Sequence, residues 1–142
     1  MRAALAGAGA AAGWALAERP ASRLFGTGDY GDVRLLGRVA APGRVWPVAG
    51  LAVHLLNGAA FGIAFDRLGR RGWRDGLVAA QAENAALWPV MAIMDRIHPD
   101  RRDEHWPQLV TNAPIALQET AMHALFGVLL GLLHERLVPE TD

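Results

Sequence analysis

The chain has 142 residues, 52% of them hydrophobic and 20% charged, and its 14 basic and 14 acidic residues leave a formal net charge of +0. That length supports one domain, and neutrality excludes the positive excess with which a nucleic-acid binder displaces counterions from phosphate. Cysteine is absent, which removes disulfides, thiolate metal ligands and a cysteine nucleophile.

Residues 3–17 are an Ala/Gly run that reaches spanning length only with its flanks. Two readings stay open there. Gly9 and Gly13, four apart, offer a close-packing face for a membrane helix; Arg2 and the ending Ala15-Leu16-Ala17 match a signal peptide. The connection 19–44 starts with the turn-like Thr27-Gly28-Asp29-Tyr30-Gly31-Asp32. Residues 33–41 then predict a short amphipathic helix on the membrane surface, with Arg34 and Arg38 four apart.

Residues 45–65 carry no formal charge over 21 positions. A bilayer-spanning helix needs about 20 apolar residues, whereas a soluble helix of that length shows a charged face. Trp46-Pro47 opens this span, with an indole suited to the headgroup level and a proline suited to a helix's first turn. Residues 77–94 form another span, interrupted by Glu83 and Asn84, in which Trp88-Pro89 predicts a kink or a restart. The stretch 98–104 is mixed in sign and reads as a solvated loop, with His98 and His105 incidental. Residues 108–133, opened by Trp106-Pro107, are the last span and carry Asn112, Gln118, Glu119 and His123.

The sequence also repeats itself. His54-x-x-x-Gly58-x-x-x-Gly62-x-x-x-Asp66-Arg67-Leu68 aligns without gaps on His123-x-x-x-Gly127-x-x-x-Gly131-x-x-x-Glu135-Arg136-Leu137. Residues four apart share a helix face, so each copy presents a histidine above a glycine stripe. Gly58, Gly62, Gly127 and Gly131 remove side-chain bulk and allow close helix packing, where van der Waals contact replaces the hydrophobic drive that lipid does not supply. The expected crossing brings the second and fourth helices together, with His54 and His123 close by. The predicted fold is all-α: an integral membrane four-helix bundle of two tandem helical hairpins, 1–68 and 77–137, related as a parallel pseudo-repeat.

His54, Glu83, Glu119 and His123 are the candidates for chemistry, with Asn57, Asn84 and Gln118 as supporting polar groups. An ionised group at the centre of a membrane helix costs roughly 2.5–3.5 kcal/mol on insertion scales, so such residues turn inward and find partners. Three readings compete: a polar network that locks helix pairing, a proton- or ion-handling site, and a divalent-metal or catalytic site using these four residues. No cofactor is implied, because no metal-binding spacing is present.

Glu83-Asn84, Leu87-Trp88-Pro89, Asp95-Arg96 and the stretch from Gln118-Glu119 to Gly127 together resemble small multi-pass bacterial membrane proteins. That resemblance covers about the last half of the chain and implies a multi-pass location in the bacterial plasma membrane; it implies no activity. Arginine counts on the two sides, six against eight, do not fix an orientation. The expected role is structural or accessory rather than enzymatic. So small a bundle is expected to act as a homo-oligomer or with a larger membrane partner, in contact with the lipid bilayer.

Overall fold

The computed structural model describes residues 1–41 and 43–139. They form five α-helices and no strand: α1 (Arg2–Phe25), α2 (Asp32–Ala40), α3 (Trp46–Arg67), α4 (Gly72–Ile97) and α5 (Ala113–Leu137), with a single 3-10 turn (Gly43–Val45) leading into α3. Three helical segments, Gly43–Arg67, Gly72–Ile97 and Ala113–Leu137, are long and apolar enough to cross a membrane. Such helices suggest a membrane protein.

Local chemistry sets the helix ends. Alanine, the best helix former, dominates α1, and Gly26 closes it in the left-handed region at φ 69°, its N–H donating to the Ser22 carbonyl. Pro47 lies in the first turn of α3, where a missing N–H costs nothing. The Asn112 side chain caps α5 by accepting from the Ile115 N–H. Pro89 does not restart α4, which runs through it unbroken from Gly72 to Ile97.

Glycines bring the long helices together in pairs. A Cβ on Gly7 would strike the Gly58 carbonyl and the Gly62 amide nitrogen; a Cβ on Gly76 would strike the Gly127 carbonyl and the Gly131 amide nitrogen. The two sets of atoms differ by a constant 69 positions. Gly62 faces the Ala3 carbonyl and Gly131 the Gly72 carbonyl, with the same offset. The glycine stripes therefore join α3 to α1 and α5 to α4, and the expected crossing of α3 on α5 is replaced by these two. α1 also packs against α5, where Leu133 and Leu129 sit over Gly9 and Gly13. By contrast, α3 and α4 make almost no contact with each other. α4 lies at the edge, with only Gly76 and Ala80 buried.

The helix expected at 33–41 is present as α2, and it packs one face on α3, burying Leu35 and Gly37. Gly37 meets Gly50 and the Trp46 carbonyl, while the Val33 carbonyl lies against Gly50, so α2 runs antiparallel to α3. Its first turn is held by Glu18, whose carboxylate accepts from the Val33 N–H at 3.0 Å. Glu18 lies seven residues before the end of α1, about 10 Å of helix. The chain thus turns back at Gly26, descends beside α1 and rises again through α2.

Above this fold-back, His98, Asp100 and Trp106 pack inward as a cap, while the other residues of 98–106 are exposed as expected of a solvated loop. Asp100, only 3% exposed, accepts from Arg34 Nε at 2.8 Å and Arg38 Nε at 2.8 Å. His98 is fully buried and stacks on Trp106 at 4.3 Å with the rings 8° apart, and its Nε2 lies 3.3 Å from the Leu35 carbonyl. His98 is therefore a structural residue of the cap, and Trp106 belongs to the cap interior instead of opening a span. Of the two histidines flanking this stretch, His105 is exposed.

Candidate functional site

Each of the candidate polar residues is placed by one of these helices. His54 is one turn before Gly58 on the buried stripe of α3, and His123 one turn before Gly127 on α5. His54 Nε2 lies 3.1 Å from the Ala11 carbonyl, and His123 Nδ1 lies 2.8 Å from the Glu119 carbonyl. A carbonyl only accepts, so these are the protonated nitrogens. That leaves His54 Nδ1 facing the Asp32 carboxylate at 3.8 Å, and His123 Nε2 without a hydrogen bond among the described residues. Between the imidazoles stands Trp14, buried, with its ring centre 5.5 Å from His54 and 4.7 Å from His123 in edge-on geometry.

Glu119 is 2% exposed. Its Oε2 lies 3.7 Å from His123 Nδ1, and it adjoins the phenol of buried Tyr30. Gln118, one residue earlier, accepts from the Thr27 hydroxyl and ties the fold-back to α5. Asp32, the first residue of α2, sits within electrostatic reach of Glu18, Glu83 and Glu119. Glu83 and Asn84 come from α4 and make no side-chain hydrogen bond or ion pair among the described residues; the same holds for Asn57.

These residues surround one cavity of about 180 Å³. His54 and Asn57 of α3, Glu83 and Asn84 of α4, and Glu119 and His123 of α5 all line it, together with Asp32 of α2. Apolar and aromatic groups make up the rest, notably Phe61, Trp88, Met91 and Phe126. The cavity occupies the space between α3 and α4, where helix packing is missing. Of the residues singled out from the sequence, the four candidates and two of the three supporting groups thus share one space; Gln118 stands apart. Among the described residues, no three His, Asp or Glu side chains are arranged to hold a metal ion.

Sequence reasoning missed Trp14, Glu18, Tyr30, Asp32 and His134. The last is fully buried on α5, with its Nε2 2.8 Å from Asp66 Oδ1. A signal for Trp14 was present. Carried toward the N-terminus, the 69-residue offset pairs Arg2 with Arg71, Gly7 with Gly76, Ala11 with Ala80 and Pro20 with Pro89. It also pairs Trp14 with Glu83. Both stand seven residues, two turns, beyond their crossing glycine and so share its face. One side fills the space with an indole; the other leaves a carboxylate at a cavity.

Comparison with known proteins gives no matching family model, no similar curated protein and no similar solved structure.

Proposed function

We propose that the chain is a multi-pass protein of the bacterial plasma membrane, a bundle of four long helices from two tandem hairpins, whose mid-depth cavity takes up and releases protons. The tandem arrangement is supported by the atom-for-atom correspondence of the two glycine crossings at one constant offset. On this reading α1 is the fourth crossing helix; its buried face against α3 and α5 compensates for weaker hydropathy. The exposed flank of α4 is available to lipid or to a second copy.

One observation carries the proton-handling role. Carboxyls and imidazoles from four helices line a single space, and Glu83 among them is half-buried and makes no hydrogen bond or ion pair among the described residues. A network whose task is to lock helices together satisfies its members, because an unpaired buried polar group costs about 1–3 kcal/mol. A half-buried carboxyl that pairs with nothing does not lock one helix to another, and titration is the chemistry it can perform. The mobile proton would pass among Glu83, Asp32 and Glu119, with the free imidazole nitrogens of His54 and His123 as acceptors. Infrared difference spectra of bilayer-reconstituted protein between pH 5 and pH 9 test this. The wild type is expected to show carboxyl bands that Glu83→Gln and Glu119→Gln each remove in part. Spectra in which neither substitution removes a titrating band overturn the proposal.

A further inference from the structure

We propose that the same cavity binds a small organic ammonium ion carrying one hydrophobic group, which enters sideways between α3 and α4 and displaces a proton. This rests on the proton-handling reading and adds the ligand. Size comes first. A dry cavity of about 150 Å³ admits a benzene-sized guest, and this one measures about 180 Å³. The lining supplies two kinds of recognition at once. Phe61, Trp88 and Phe126 supply aromatic rings, a residue type that attracts cations as well as apolar groups, and Glu83 and Glu119 supply carboxyls. Five carboxyl and imidazole groups with little fixed positive charge nearby suit a cation and repel an anion.

The internal comparison indicates that the space is built in. Trp14 fills the site between α1 and α5, and at the matching position of α4 the residue is Glu83. An indole has been exchanged for a shorter, ionisable side chain at the one place where two neighbouring helices do not close. Binding then exchanges charge for charge. The protonated amine arrives as a cation, Glu83 gives up its proton, and the net charge inside the bundle is unchanged, so the desolvation cost of an uncompensated ion is avoided.

The test uses the full chain in phosphatidylglycerol nanodiscs, titrated with benzylammonium and with the neutral, similarly sized benzyl alcohol, empty discs being subtracted. Benzylammonium is expected to bind at least tenfold more tightly than the alcohol and to release about one proton per amine. Glu83→Gln is expected to weaken the amine at least tenfold and leave the alcohol within about twofold. Glu83→Asp, which keeps the charge, restores amine binding to within a few-fold and serves as the check on folding. Glu83→Trp, which copies the filled side, removes binding of both probes. Equal affinity for amine and alcohol, or amine binding unaffected by Glu83→Gln, overturns the inference. Phosphatidylethanolamine added to the discs is expected to leave the amine affinity unchanged; its loss there assigns the cavity to a lipid headgroup and overturns the free-amine assignment. If no amine binds while Glu83 still titrates in the infrared, this inference alone fails and proton handling stands.

Discussion

The α1 side and the α4 side of the molecule are built on the same frame and finished differently. Both have a glycine that lets its helix touch the backbone of a partner, Gly7 on Gly58 and Gly76 on Gly127. Two turns further on, α1 carries Trp14, wedged edge-on between His54 and His123. At that place α4 carries Glu83, which makes no hydrogen bond or ion pair among the described residues and borders a cavity. The crossings are fixed by backbone approach, which tolerates no variation, whereas the space above them is set by side-chain volume and polarity, which can diverge without loss of the frame. A closed side and an open side thus stand on matching glycine crossings.

Substitutions at the crossings break the comparison most severely. Leucine at either Gly7 or Gly76 must push two backbones apart, which exceeds the roughly 1–3 kcal/mol of ordinary overpacking. Neither variant is expected to give a monodisperse protein in detergent, as read by size-exclusion chromatography. If Gly76→Leu is tolerated and Gly7→Leu is not, the two crossings are not equivalent. Next in size is Trp14→Ala, which empties the filled side and is expected to cost about 3–5 kcal/mol of stability, measured as a lowered thermal midpoint.

A smaller effect is expected at the cap, which serves both sides by bridging α2 to the α4–α5 connection. Asp100→Asn removes charge-assisted hydrogen bonds to Arg34 and Arg38 and is expected to cost roughly 1.5–3 kcal/mol. The same site gives a pH dependence. Burial opposes ionisation of Asp100, but the Arg38 and Arg34 guanidiniums outweigh it and hold the carboxyl below its ordinary value of 3.8. A depressed carboxyl contributes stability that is present above that ordinary value and lost as pH falls through the depressed one. The wild type is therefore expected to lose stability on acidification below about pH 4, and Asp100→Asn to lose less over that interval. Equal losses in the two proteins would exclude Asp100 as the source.

Helix type was legible because it is local. Apolar runs long enough for a bilayer located α3, α4 and α5 to within about five residues at either end, and Trp46-Pro47 marked the start of α3, whereas α5 begins at Ala113, later than Trp106-Pro107 implied. The histidine–glycine stripes were legible for the same reason, being periodic on one helix. Their partners were not, since Gly58 could have met Gly127 as readily as Gly7 until the offset was carried into α1. Long-range contacts hid the rest. The fold-back of 26–40 depends on Glu18 and Gln118, and the cap on an Arg34–Asp100 pair 66 positions apart. An amphipathic pattern such as that of α2 is equally consistent with a membrane surface and with packing on a neighbouring helix. The four candidate residues were found because ionisable groups are rare within apolar runs; the cavity they share depends on a contact between α3 and α4 that is missing, and no sequence pattern announces a missing contact.

The most direct test compares the thermal midpoint of Glu83→Leu with that of the wild type in the same detergent. A carboxyl kept for chemistry contributes nothing to holding the helices, so the midpoint is expected to stay the same or rise. A fall as large as that of Trp14→Ala would contradict the division into a filled half and an open half, and would make Glu83 a structural residue like its counterpart.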